Sequence, residues 1–136
     1  MSRQLKFRVW SFLEKAFYYF TLEEGYPQGI ACGVSEPQQY TEVYDSNKQE
    51  LFDGDIVSYT VKHVELGESQ NLIAQVMYVH KYGAWGFGRE VYWDLILDCG
   101  VTNIIKIGNI FENSALLDQP LNSNEIGIQN NKGPSS

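Results

Sequence analysis

The sequence predicts a mainly β protein, and three observations support this prediction. Short stretches rich in β-branched and aromatic residues recur along the chain, and apolar and polar residues alternate within them. Clusters of glycine, asparagine and other turn-forming residues separate the stretches. Such spacing indicates a small barrel or a coiled, bifurcated antiparallel sheet rather than alternating strands and helices.

The first predicted element is a hairpin over residues 5–20, where two aromatic stretches flank a turn. Successive strand side chains point to opposite sides, so Phe7 and Val9 share one face while Arg8 and Trp10 share the other. A helix competes with this prediction because apolar residues also recur here every three or four positions. The aromatic density favours the hairpin.

A connector rich in glycine and proline follows at 24–37 and separates the hairpin from the later strands. Alternation then predicts five strands, at 38–44, 51–61, 72–80, 91–97 and 102–111. The glycine-rich run at 83–88 is predicted to be a loop. The strands are expected to enclose one shared interior, with Val57, Val76 and Ile107 facing it.

These elements suggest three regions. Residues 1–44 form an N-terminal hairpin module with its connector, and residues 45–118 form a C-terminal β-barrel domain that closes with one capped helical turn. Residues 119–136 contain few large apolar side chains and are predicted to be a disordered tail.

Composition limits the choice of partners and compartment. Seventeen acidic and ten basic side chains give a formal charge of −7, which disfavours contact with nucleic acid and with anionic membranes. No apolar run approaches the roughly 20 residues of a membrane-spanning helix. Nothing near the start resembles a secretion signal, so we expect a cytoplasmic protein in which Cys32 and Cys99 are free thiols.

Three blocks of the chain resemble the YopX family of phage and prophage proteins, whose function is uncharacterised. They are Lys6-Phe7-Arg8-Val9-Trp10, then Gln39-Tyr40-Thr41 through Asp45 to Phe52-Asp53-Gly54-Asp55-Ile56-Val57, and finally Ile107-Gly108-Asn109-Ile110-Phe111-Glu112-Asn113 with Leu116-Leu117. The order and spacing of all three blocks carry the resemblance, which spans most of residues 5–117. Glu42 and Lys48 stand where the family usually has glycine, which leaves the turn type there open, and Asn47 could take the left-handed conformation that the missing turn glycine would supply.

The resemblance implies a mainly β architecture with an N-terminal piece and an SH3-like C-terminal barrel. It also implies self-association. The family supplies no known catalytic residues, so none is transferred to this chain, and we expect neither an enzyme nor a cofactor.

The triplet Asp53, Gly54 and Asp55 is the sharpest polar feature. Two close carboxylates are typical ligands of Mg²⁺ or Ca²⁺, but the further ligands of a calcium loop are missing from the sequence that follows. A bend at Gly54, with the carboxylates accepting backbone N–H groups, is the favoured interpretation. Gly108 and Asn109 in the closing block are assigned a structural role as well. No metal site is predicted, because neither histidine has a cysteine or carboxylate at zinc-ligand spacing.

The remaining candidates are aromatic. Trp85 and Phe87 lie in the glycine-rich run and either present a contact surface or fold back to cap the barrel. With Arg8 and Trp10 they are predicted to form an interaction surface.

The sequence therefore predicts a non-catalytic phage or prophage accessory protein that binds a host or phage protein or assembles with copies of itself. The alternative is an SH3-like nucleic-acid-binding module that uses basic residues beside aromatics, namely Arg3, Lys6 and Arg8 with Lys81 and Arg89. A metal enzyme that uses Asp53 and Asp55 is the third and weakest hypothesis.

Overall fold

The computed structural model describes residues 5–29, 33–63, 67–89, 92–97 and 100–118. Their strands are β1 (Lys6–Ser11), β2 (Ala16–Thr21), β3 (Gln38–Tyr44), β4 (Glu50–Phe52), β5 (Asp55–His63), β6 (Glu68–Val79), β7 (Ala84–Arg89), β8 (Tyr92–Leu95) and β9 (Val101–Asn109). A short 3-10 helix, Ser114–Asp118, follows at the predicted helical turn. The mainly β fold is confirmed. The predictions for Cys32, Cys99 and the tail 119–136 lie outside the described residues.

The N-terminal hairpin belongs to a four-stranded antiparallel sheet with the order β2-β1-β3-β4. In the hairpin Trp10 pairs with Phe17, and Phe7 pairs with Phe20. Aromatic pairs across two strands stabilise antiparallel pairing, which explains why these residues form strands although their spacing also suits a helix. The hairpin prediction is confirmed. β3 then pairs with β1 on one side and with β4 on the other.

The second sheet has five antiparallel strands in the order β8-β7-β6-β5-β9. β7 occupies the glycine-rich run that was predicted to be a loop, so that prediction is wrong. A Cβ atom at Gly86 would overlap the backbone oxygen of Asp94 on β8, and glycine permits this close approach of neighbouring strands. Phe87 alternates with these glycines and points into the core, where it is buried.

An apolar core is formed by the five-stranded sheet, the turn after β8 and Leu51 of β4. Its buried members are Leu51, Val57, Tyr59, Ala74, Val76, Phe87, Ile96 and Ile104. The predicted inward positions of Val57 and Val76 are confirmed. Ile107 is 37% exposed, so its predicted position is wrong. The register between β5 and β9 shifts twice, and a one-residue shift turns a strand's side chains to the opposite face.

Neither sheet closes on itself within the described residues. β8 and β9 form the two edges of the five-stranded sheet, and β2 and β4 form the edges of the other sheet. The predicted boundary at residue 44 falls at the end of β3, in the turn that leads to β4. The division into separate domains stays a prediction.

Candidate functional site

Arg8 is buried where the N-terminal hairpin meets the later strands. Its Nη2 atom lies 2.9 Å from Oδ1 of Asp55, and its Nε donates a 2.8 Å hydrogen bond to Oε1 of Gln38. The guanidinium carbon lies 4.0 Å from the ring centre of Phe17 and 4.8 Å from that of Phe52. The two rings and the carboxylate together compensate a charge that has left water. We call this arrangement the Arg8 junction.

Asp55 is equally buried and uses both carboxylate oxygens. Oδ2 accepts a 2.7 Å hydrogen bond from the backbone N–H of Phe52 and lies 3.4 Å from Nζ of Lys106.

Asp53 lies beside this junction, and its pKa is raised overall. Burial raises the pKa, the nearby Arg8 charge lowers it, and the charge of Asp55 raises it. Among the described side chains, no group of three or more histidine, cysteine, aspartate or glutamate residues is placed to hold a metal ion.

Gly54 joins three segments at the Arg8 junction. Its N–H donates to the carbonyl of Val76 at 2.9 Å, and its carbonyl accepts from the N–H of Ile110 at 3.0 Å. The φ angle of Gly54 is +91°, and a Cβ atom there would overlap the Gln38 side chain. Only glycine meets both conditions without strain. The central and closing blocks of the sequence therefore meet at this residue.

Gly108 and Asn109 lie at the end of β9 in a tightly bonded turn. The Asn109 side chain accepts backbone hydrogen bonds from Phe111 at 2.9 Å and from Glu112 at 3.0 Å. A Cβ atom at Gly108 would overlap the Asn113 side chain. These hydrogen bonds join residues within the turn itself, so they fix the direction in which the chain leaves β9.

Trp10 is also buried, with 5% of its surface exposed. Its ring stacks on Phe111 with centres 5.5 Å apart and planes 2° apart. Arg8 and Trp10 therefore do not form the exposed surface predicted for them, because each is covered by a partner far along the chain. Phe87 is buried against Tyr59 at 4.2 Å, so of the four predicted residues only Trp85 is accessible in part.

Trp85 lies in an open groove between β3 and the β7–β8 pair, which we call the Trp85 groove. Its apolar end has a volume of about 320 Å³ and is lined by Thr41, Val43, Ala84, Trp85, Leu95, Ile96 and Leu97. Its polar end, of about 550 Å³, shares Ala84 and Trp85 and adds Gln39, Tyr78, His80 and Gly83. The groove therefore continues the core outward along the seam between the two sheets.

Three rings define the polar end of the groove. Tyr78 packs edge-on against Trp85 at 5.4 Å and against His80 at 5.1 Å. At the apolar end, the hydroxyl of Thr41 donates to the carbonyl of Leu51 at 2.8 Å. The Thr41 hydroxyl is therefore paired within the fold. The result is a mainly apolar surface with polar groups at one end, the usual composition of a binding site.

Sequence reasoning missed every groove residue except Trp85. The available signal was the β-favouring composition of residues 38–44, but simple alternation does not fix the faces there, because the register with β4 shifts between Tyr40 and Tyr44 and Glu42 has a φ of +70°. The composition did not show that β3 meets β7 and β8, because the pairing of the two sheets is not local in sequence.

A row of aromatic rings in contact runs along the four-stranded sheet and includes Phe111, and we call it the aromatic band. Phe52 within this row is buried. Neighbouring ring centres along the band lie 5.4–6.4 Å apart, in the order Phe12, Phe111, Phe17, Tyr19, Phe52, Tyr40 and Tyr44. Phe12, Tyr19 and Tyr44 are more than half exposed. Burial and the nearby Tyr44 raise the pKa of Tyr40 to about 12, so the Tyr40 hydroxyl stays neutral near neutral pH.

These features define a mainly β protein with two open antiparallel sheets, a buried ionic junction and an exposed apolar groove. The sequence pattern of the family described as YopX protein matches residues 33–118, more than half of the chain. The chain therefore belongs to the YopX family, as its three blocks predicted. The match includes the central and closing blocks, and the block around Arg8 precedes it.

No curated protein matches the chain. In the part of the chain that the structure describes, no helix has the length and the apolar composition needed to span a membrane.

Proposed function

We propose that this chain is a non-catalytic phage or prophage accessory protein that binds a protein partner in the cytoplasm of a bacterial host. The observation that carries the proposal is the Trp85 groove. The lining of its apolar end is hydrophobic, the groove opens to solvent, and Leu97 at that end is 84% exposed. Exposed apolar surface of this kind is costly in water and is typical of interaction sites.

Site-specific cross-linking in host cells tests this function. A photoreactive residue in place of Leu97 should cross-link to a defined partner. The same residue in place of Leu13, which is 74% exposed in the hairpin turn and lies outside the groove, is the matched control. Identical products from both positions, or none from position 97, would contradict binding through the groove.

Self-assembly through the aromatic band is a second candidate function, supported by the exposure of Phe12, Tyr19 and Tyr44. Sedimentation should then show a particle larger than a monomer. Tyr19→Lys should shift it toward the monomer, while Tyr82→Lys should not, since Tyr82 is similarly exposed but is not part of the band. A monomer at every concentration would contradict this candidate.

The nucleic-acid-binding alternative has less support. Arg8 is engaged by Asp55, and Nζ of Lys6 lies 2.6 Å from a carboxylate oxygen of Glu50. Binding to DNA or RNA that weakens steeply as salt rises would support it. The SH3-like barrel stays a prediction, because neither sheet closes on itself within the described residues.

A further inference from the structure

We propose that β2, the outer strand of the N-terminal hairpin, pairs antiparallel with β2 of a second copy of this chain, so that two four-stranded sheets join edge to edge across a two-fold axis at Tyr18. This inference rests on the second candidate function, self-assembly, and deepens it by assigning the contact surface and its symmetry. Three observations support it: the unprotected edge of β2, the direction of its free backbone groups, and the opposite charges at its two ends.

The edge of β2 lacks the features that usually block pairing with another chain. β2 is the outer strand of its sheet, and its sequence AFYYFT contains no charged residue, proline or glycine. β1 and β2 pair from end to end without a register shift. Edge strands usually carry a charge, a proline or a bulge, because a regular apolar edge readily pairs with another strand. The edge of β2 is therefore open to pairing.

The backbone groups of Phe17 and Tyr19 point away from β1, toward this edge. Trp10 lies opposite Phe17, but its N–H donates to the hydroxyl of Ser35 and its carbonyl accepts from the N–H of Ser35, both at 2.9 Å. Trp10 therefore bonds on the side of β1 away from β2. Opposite residues of an antiparallel pair bond either toward each other or both outward, in alternation, so Phe17 and Tyr19 both carry outward groups.

The turn after β2 limits the free part of the edge. Thr21 continues the alternation, but its N–H donates to Oε1 of Glu24 at 3.1 Å and its carbonyl accepts from the N–H of Gly25 at 2.9 Å. Within the part of the chain that the structure describes, no hydrogen bond reaches the outward backbone groups of Phe17 or Tyr19. These two residues are therefore the ones that a neighbouring strand can engage.

Only one antiparallel register of two β2 strands uses the outward groups of both residues. It places Phe17 of each copy opposite Tyr19 of the other and Tyr18 opposite Tyr18, and each Phe17–Tyr19 pair exchanges both backbone hydrogen bonds. Because Phe17 and Tyr19 belong to the aromatic band, the band continues from one copy into the other. The same register sets Phe20, whose ring is already packed within its own copy, opposite the small side chain of Ala16. The strand is thus complementary to itself.

The two ends of β2 carry opposite charges, although the chain as a whole carries a formal charge of −7. Lys15 is exposed just before the strand, and Glu23 is exposed two residues after it. Antiparallel pairing brings Lys15 of each copy toward Glu23 of the other, and the two-fold axis repeats this contact at both ends. Glu14 accepts a hydrogen bond from the Tyr18 hydroxyl of its own copy. The local charges therefore favour a second copy in this orientation.

Disulfide formation between copies tests the register, in a chain whose Cys32 and Cys99 are replaced by serine. Tyr18→Cys places two thiols directly opposite each other, where the Cα atoms lie about 4.5 Å apart, within the range of a disulfide. Ala16→Cys is the matched control, because its two thiols are offset by four residues, about 13 Å along the strands. Mild oxidation should cross-link Tyr18→Cys into dimers and give at least tenfold less dimer with Ala16→Cys.

Sedimentation of lysine variants tests the edge separately from the aromatic band. Ala16 is exposed on β2 and is not part of the band, so Ala16→Lys should raise the dissociation constant at least tenfold. Thr102→Lys makes the same change in charge at an exposed position of β9, an edge of the other sheet, and should alter the constant less than twofold. Circular dichroism of both variants checks that the β fold is retained.

Several outcomes would overturn the inference. Equal cross-linking at positions 18 and 16 would exclude the register, and equal effects of the two lysine variants would exclude the edge of β2. Assembly that Tyr19→Lys disrupts and Ala16→Lys leaves intact, without cross-linking at position 18, would overturn this inference alone and retain self-assembly through the band. A monomer at every concentration, without cross-linking, would overturn both.

Discussion

The Nη2 atom of Arg8 lies 2.9 Å from Oδ1 of Asp55, and each of the two side chains is at most 2% exposed. Arg8 is on β1 of the N-terminal hairpin and Asp55 begins β5 of the five-stranded sheet, so this contact connects the two sheets directly. Removing one partner of a buried ion pair leaves an uncompensated charge in the interior, which costs far more than losing an exposed pair.

Substitution at the Arg8 junction should therefore be severely destabilising. We expect Arg8→Met or Asp55→Asn to lower the free energy of unfolding by about 3–5 kcal/mol, as measured by urea denaturation. Lys6→Met is the matched control, because the partly exposed pair of Lys6 with Glu50 should contribute less than about 1 kcal/mol. Similar losses in all three variants would contradict the assignment of the junction.

Gly54→Ala should also destabilise the fold, by about 1–3 kcal/mol, because alanine at a φ of +91° is strained. The new Cβ atom would in addition overlap Gln38, whose side chain is held by Arg8. Gly29→Ala separates the two effects, since Gly29 has a φ of +77° and open space around the site of the added atom. Thermal unfolding should show a larger loss of stability for Gly54→Ala than for Gly29→Ala. Equal losses of stability would exclude a contribution from the overlap with Gln38.

Asp53 should make stability depend on pH in an uncommon direction for a carboxylate. Its pKa in the folded chain is raised, so the folded state binds the proton more tightly than the unfolded chain does. Stability should therefore fall as the pH rises from the usual carboxyl pKa, about 4, through the raised value. Asp53→Asn should remove this fall and increase stability at neutral pH. Urea denaturation of the wild-type chain and of Asp53→Asn from pH 3 to 7 measures both effects. The same dependence of unfolding free energy on pH in the two proteins would contradict the prediction.

The Asp45 carboxylate joins the β3–β4 turn to β9 through hydrogen bonds, and its removal should destabilise that connection. One carboxylate oxygen accepts the N–H groups of Asn47 and Gln49, both at 2.8 Å, and the other accepts the N–H of Lys106 at 2.9 Å. Asp45→Ala should cost about 2–3 kcal/mol, because these N–H groups lose a charged acceptor. Hydrogen exchange should show faster exchange at Lys106. A retained exchange rate there would contradict the role of this connection.

Local patterns in the sequence were sufficient for most strands. The cross-strand aromatic pairs of the hairpin and the alternation of Val57 and Tyr59 are local, and the structure confirms them. β7 was missed because glycine usually interrupts strands, whereas Gly86 is needed for the close approach of β8.

The contacts that bury the candidate site residues could not be predicted from local patterns, because they join residues far apart in the sequence. Arg8 and Trp10 look like surface residues until Asp55 and Phe111 are brought against them by the fold. The Trp85 groove depends on the seam between two sheets, and a single sequence contains no direct signal for that seam. The position of Ile107 was wrong because register shifts between β5 and β9 have no clear local signature.

The ionic contact of Arg8 also constrains how the chain can vary over evolutionary time. A shortened descendant without β1 would retain Asp55 in the interior with its principal cation missing. Lys106, whose Nζ lies 3.4 Å from Oδ2 of Asp55, would be the cation left beside that carboxylate. Because this pair is longer and partly exposed, we expect descendants that lose the hairpin to favour a neutral residue at position 55.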